Sequence, residues 1–157
     1  MATKKQTTAS GDIGENIVKN AMDSIGVDYH KQVQRTGRGH RWKPDFTVRR
    51  TGEEWKDSAF VEVKAQFTYG SADVKITGQA LRAHRMGLKG WFVLITHKDR
   101  DAFSLDTITD TNWMLEAIGS PIRILVGTEE LIEVLRLNGY ASDKPNTASP
   151  QWYNRPL

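Results

Sequence analysis

An α/β fold, with helices packed on a central mixed sheet, is what this sequence predicts, and three observations predict it. Two segments, PDFTVRR (44–50) and AFVEVKAQF (59–67), alternate apolar and polar residues with the period of half-buried strands. A third, WFVLIT (91–96), is continuously apolar, as a strand covered on both faces would be. Between and around these lie stretches whose apolar residues recur at three- and four-residue spacing, the mark of helices with one buried face.

In chain order, residues 1–10 are polar and basic and predict a flexible arm carrying Lys4 and Lys5. A single domain is expected over 11–140, with 141–157 as a proline-rich polar tail. Ile13, Ile17, Val18, Ala21 and Met22 define the first helix, which Gly26 stops. A strand is expected over 27–35, then a mobile, positively charged loop, TGRGHR (36–41). In the next strand Phe46 and Val48 face one way, Asp45 and Thr47 the other. In the strand after it, Ala59, Val61, Val63 and Ala65 share one face, Glu62, Lys64 and Gln66 the opposite one. The polar connection TGEEWKDS makes these two a hairpin. A helix over 76–86 with Gln79 near its start leads to the buried strand 91–96. A further strand, 122–126, precedes a last helix, for which Thr128 is the expected N-cap, Glu129 and Glu130 the acidic first turn, and Asn138-Gly139 the stop. The order is helix, three strands, helix, strand, then a further strand and helix.

The chain of 157 residues is 38% hydrophobic and 26% charged, the balance of a folded domain. It has no cysteine, which excludes disulfides and thiolate metal sites, and no apolar run long enough to cross a bilayer. Both point to a cytoplasmic protein. The net charge of +3 conceals a strong segregation: residues 31–50 hold seven Lys/Arg against one acid, and residues 99–143 nine acids against three arginines. A basic block of that density suits a polyanion, of which nucleic acid is the commonest. Lone histidines at 30, 40, 84 and 97 have no paired ligand spacing, and there is neither a serine-elbow motif nor a phosphate-binding glycine loop.

The unexplained acids are therefore the informative ones. A hairpin turn centred between Glu53 and Glu54 sets position 45 opposite position 62, and directly opposed side chains lie roughly 5 Å apart on one face. Asp45 and Glu62 then repel unless a cation lies near them; Lys64, two residues along the same face, supplies part of the compensation. A hard divalent ion supplies more, and Mg²⁺ is typically held by one or two carboxylates. A metal site, a lysine and a basic surface are together the parts needed to hydrolyse a phosphodiester.

Asp45 following Pro44, then Glu62-Val63-Lys64, with Glu15 on a preceding helix, resembles the PD-(D/E)xK nuclease superfamily over residues 11–96. Within it, GENIVKNAM and VKITGQALRAHRMGLKGWFVLI resemble archaeal-type Holliday junction resolvases, with VRR-NUC domains as a second branch of similar pattern. The resemblance implies a restriction-endonuclease-like core and Mg²⁺-dependent cleavage of DNA, with Mn²⁺ able to substitute. It implies metal ligation by Asp45, Glu62 and the Val63 carbonyl, and Lys64 as the group that orients the attacking water. Glu15 would reach the metal through water or fix Lys64, and Gln79 matches a polar residue on the following helix. Phosphate contacts fall to Lys4, Lys5, Arg35, Arg38, His40, Arg41, Lys43, Arg82 and Arg85. Trp42, Trp55 and Tyr69 are candidates for stacking on bases, Trp55 foremost, whereas Trp91 belongs to the core. The expected substrate is branched or four-way-junction DNA, and paired cuts imply a homodimer, with the segment 113–118 or the Trp152-Tyr153 tail as the contact. A sequence-specific endonuclease on the same fold and a non-catalytic DNA-binding module remain as alternatives.

Overall fold

The computed structural model describes residues 2–65, 72–96 and 105–142, with side chains excepted for 2–10 and 72–74. Tyr69, Gln66, the 152–153 tail and the side chains of Lys4 and Lys5 lie outside the described residues. The fold is α/β. Its main sheet is five-stranded and mixed, built from β1 (Asp28–Lys31), β4 (Phe46–Arg49), β5 (Ala59–Ala65), β6 (Gly90–Ile95) and β7 (Ile122–Val126), side by side in that order. β1 pairs antiparallel with β4 and β4 antiparallel with β5, whereas β5, β6 and β7 are parallel. The parallel steps need crossovers, supplied by α2 (Ala72–Arg85) and α3 (Leu105–Ala117). A separate hairpin, β2 (Arg35–Gly37) with β3 (His40–Trp42), sits between β1 and β4 in the chain.

The alternation in the sequence becomes two cores, one on each face of the sheet. On one face Phe46, Val48, Val61, Val63 and Val93 meet Val18 and Met22 of α1 (Ala2–Ser24) and Leu131 and Leu135 of α4 (Gly127–Leu137). On the other, Phe60, Phe92 and Leu94 meet Ile76, Ala80 and Ala83 of α2 and Ile108 and Leu115 of α3. β6 lies between both layers and is buried throughout, which is why its sequence does not alternate. No described helix is long and apolar enough to cross a membrane.

Four local expectations are corrected. Helix α1 begins at Ala2, not near Gly11; residues 2–10 contain no proline, and the two glycines inside the helix, Gly11 and Gly14, cost only ~1 kcal/mol each. The first strand is short and stops at Lys31, because Gln32 takes a positive φ of 58° and turns the chain out of the sheet. The segment expected to be a mobile loop is the β2–β3 hairpin, whose two turn residues, Arg38 and Gly39, have φ of 49° and 80°. Positive φ at both positions is the signature of the tight hairpin turn, and glycine meets that demand without strain. Finally, α4 starts at Gly127 after Val126, so Thr128 lies inside the first turn and is not its cap.

β7 is an edge strand, yet its free side is closed. Asn112 of α3 donates through Nδ2 to the Ile124 carbonyl (2.9 Å) and accepts from the Ile124 amide (2.8 Å), while Ser120 Oγ accepts from the Ile122 amide (3.2 Å). One side-chain amide thus replaces a missing neighbouring strand. Asn112→Ala leaves both Ile124 groups without these bonds. The expected result is a loss of about 1–3 kcal/mol in urea denaturation and increased self-association, read by light scattering.

Candidate active site

The β4–β5 hairpin has the register that its sequence predicts. Phe46 faces Val61, Thr47 faces Phe60 and Val48 faces Ala59, so one step further Asp45 lies opposite Glu62. At that step the ladder changes character. Pro44, with no N–H, precedes Asp45, and side chains replace backbone partners. The Asp45 amide donates to Glu62 Oε1 at 2.9 Å, and the Val63 amide donates to Asp45 Oδ2 at 2.8 Å. Each carboxylate is therefore held by the backbone of the opposite strand. A strand residue's N–H and C=O point to the same edge, so the Val63 carbonyl lies on the same side as the N–H that Asp45 engages.

Lys64 Nζ stands 3.4 Å from Glu62 Oε2, and only 23% and 12% of the two side chains are exposed. Burial first, then the Glu62 charge and a hydrogen bond with the Glu62 side chain, push the Asp45 carboxyl up to about 7; the Val63 amide and Lys64 pull it down but do not prevail. The Asp45 carboxyl therefore favours its protonated form near neutrality unless a cation takes the proton's place.

Glu15 reaches the same neighbourhood from α1. Its carboxyl is raised by burial, then by the Asp45 charge, against the lowering influence of Lys31 and with a smaller contribution from Asp12. The helix comes this close because residue 14 is glycine: a Cβ there would lie 2.6 Å from the Ala65 Cβ. Among the described residues, no three His, Cys, Asp or Glu side chains converge as a ligand cluster. The donor set at the centre is two carboxylates and one carbonyl, all oxygen, which fits a hard ion such as Mg²⁺ that keeps most of its waters.

On the α2 side, Glu62 borders a cavity of about 190 Å³ that Gln79 and Arg82 of α2 and Arg41 and Trp42 of β3 also line. Gln79 is thus brought to the site, from the middle of α2 rather than its start. Arg38, Arg41, Lys43, Arg82 and Arg85 are exposed and His40 is half-exposed. Arg35 is a correction: it is 9% exposed, and its guanidinium donates to the Ser58 carbonyl at 3.0 Å and Ser58 Oγ at 3.5 Å, anchoring the hairpin instead of facing a ligand. Trp55 is another: the Arg49 guanidinium lies 4.2 Å from its ring centroid and the His30 ring 4.1 Å away, so it is a clasp within the fold. Trp91 is in the core against Tyr140, as its setting predicts.

Lys31, opposite Phe46 at the end of β1, is the residue that sequence reasoning passed over as part of the site. Its charge acts on Glu15, and it sits over the Phe46 ring at 5.7 Å. Only the β1–β4 register could have revealed it, and a strand expected to run on to residue 35 hid that register.

No protein-family model matches the chain, and no curated protein matches it. Among solved structures it is similar to one described as "Crystal Structure of Protein of Unknown Function AF1548", with 16% sequence identity and a TM-score of 0.42. The likeness covers 79% of this chain and 64% of that one, so this chain spans less than two thirds of the other's length. That description names no activity.

Proposed function

We propose that this protein is a Mg²⁺-dependent endonuclease that hydrolyses phosphodiester bonds in DNA, with branched DNA such as four-way junctions as its preferred substrate. The observation that carries this reading is the reciprocal pair at the end of the β4–β5 ladder. Asp45 and Glu62 are each fixed by an opposing amide, and an ammonium stands 3.4 Å from one of them. Asp45, Glu62 and the Val63 carbonyl would hold the ion, with Mn²⁺ as a substitute. Bound there, Mg²⁺ supplies Lewis-acid stabilisation of charge on the phosphate and favours loss of a proton from water. Lys64 orients the attacking water and balances the negative charge that grows on the phosphoryl oxygens. Glu15 holds the water network on the α1 side and Gln79 on the α2 side. Arg38, Arg41, Lys43, Arg82 and Arg85, with His40, grip the flanking phosphates by charge, a sequence-independent contribution that weakens with salt. Two matched cuts across a junction call for a two-fold dimer, and the protein would act inside the cell, where DNA is its partner.

The test is cleavage of a labelled four-way junction, a linear duplex and a single strand, with Mg²⁺ or with EDTA, by the wild type and Glu62→Gln. Paired cuts in the junction that need Mg²⁺ and vanish in the variant are expected. If wild type and variant behave alike, or EDTA leaves cleavage unchanged, the proposal is wrong. Intact substrates that still shift on a gel in both proteins would identify a DNA-binding module instead.

A further inference from the structure

The cavity beside Glu62 is larger than water coordination requires. At about 190 Å³ it exceeds the ~150 Å³ that suffices for a benzene ring, yet it falls below the roughly 300–1,000 Å³ of whole-ligand pockets. Its size is enough for one flat ring. Its lining is divided: Ala83 and Met86 are buried and apolar, whereas Gln79, Arg41 and Arg82 are exposed. Trp42 completes it as a half-buried indole. Behind it Phe92 stacks at 6.1 Å with an interplanar angle of 15°, and Phe60 meets it edge-on at 5.0 Å. A tryptophan held in one orientation by two phenylalanines is a rigid surface for stacking. Gln79 carries both a donor and an acceptor, the equipment for reading the edge of a base. Arg41 and Arg82, both exposed, bring positive charge to its rim.

Resting on the nuclease reading, we infer that this cavity receives one unpaired nucleobase adjacent to the phosphate that is cut. A base within a continuous duplex is stacked and paired and cannot enter, so the site selects DNA with an unpaired nucleotide at the cleavage point. Single strands and single-stranded flaps offer such a base without the cost of extruding it, and a four-way junction offers one only where a pair frays at its crossover. The nearby carboxylates act on the phosphate and the cavity acts on the base, so recognition and cleavage are separable.

That separation sets the experiment. In EDTA, where no cleavage occurs, binding of a short single strand carrying one 2-aminopurine is compared with binding of the same strand in a duplex, with the fluorophore moved through successive positions. The expected result is tighter binding of the single strand and a fluorescence change confined to one position. Trp42→Leu should weaken single-strand binding about tenfold or more, with little change for duplex. The same proteins are then assayed for junction cleavage with Mg²⁺. Equal affinity for both DNA forms, or no position-dependent fluorescence in the wild type, overturns the base pocket whether or not DNA is cut. A localised response with no Mg²⁺-dependent cleavage supports the pocket and overturns the nuclease reading instead. The wild-type fluorescence decides the matter even if Trp42→Leu proves too unstable to use.

Discussion

If the proposed nuclease activity holds, Lys64→Ala is expected to reduce Mg²⁺-dependent DNA cleavage by about 10²–10⁴-fold and to leave DNA affinity within a few-fold of wild type. The magnitude is that of removing one positioned charged group acting on a transition state. The direction follows from where the ammonium stands. Lys64 lies 3.4 Å from Glu62 Oε2, in a setting where both side chains are largely shielded from water, so its charge is weakly screened and would bear directly on a phosphate bound there. Binding should be spared because the proposed phosphate grip is spread over many exposed basic residues, and losing one would cost little. Lys64→Arg should not restore the rate, since a broad guanidinium cannot occupy the place of a compact ammonium at this distance. Single-turnover cleavage with saturating enzyme checks the loss, and a rate within threefold of wild type would remove Lys64 from the chemistry.

The second large effect concerns Asp45, whose carboxyl is held at about 7 by burial and by Glu62. In the unfolded chain an aspartate ionises near ~3.9. Between these two values the folded protein binds the extra proton, so the metal-free protein loses stability as pH rises from about 4 to about 7 and carries the full penalty above that. Three pKa units correspond to at most about 4 kcal/mol. Asp45→Asn stays neutral and keeps an oxygen to accept from the Val63 amide. The expected outcome is a variant that melts about 5–10 °C above wild type at pH 8 without metal, matches it near pH 4, and does not cleave DNA. Mg²⁺ should raise the wild-type Tm at pH 8 and leave the variant's unchanged, because only the charged pair has reason to bind a cation. Melting curves over pH 4–8, with and without Mg²⁺, measure all of this. A wild type whose Tm climbs steadily from pH 4 to pH 8 would refute the assignment.

The strands that alternate and the helices with a clean apolar stripe were legible in the sequence, and so was the part of the site that they carry. Asp45, Glu62 and Lys64 come from one hairpin whose register depends only on the length of its connection, and counting from Glu53 and Glu54 was enough. Gln79 was legible as a polar residue on a helix, but its cavity depends on where β3 docks. That docking was hidden because β2 and β3 are three residues each, too short to display a period, and were read as a loop. The roles of Arg35 and Trp55 failed for a related reason. A basic or aromatic residue in a polar stretch looks available, and only tertiary contact reveals that Ser58 or Arg49 has claimed it. α3 carries few periodic signals, with Trp113 left 72% exposed, and its value to the fold lies in the Asn112 contact, which no pattern announces.

β5 has an antiparallel neighbour on one side and parallel neighbours beyond the other, and this asymmetry bears on how the chain finds its shape. The β4–β5 hairpin closes a short loop and can form while little else is in place. Docking β6 and β7 must wait for the crossovers through α2 and α3, which cost far more chain entropy to organise. The two carboxylates therefore meet early, on a local piece of structure. The wall that α2 and β3 give the cavity is completed only when the distant half of the sheet arrives. A refolding chain should acquire its Asp45–Glu62 corner before the Trp42 cavity, so the proposed catalysis and selectivity would return in two phases rather than one.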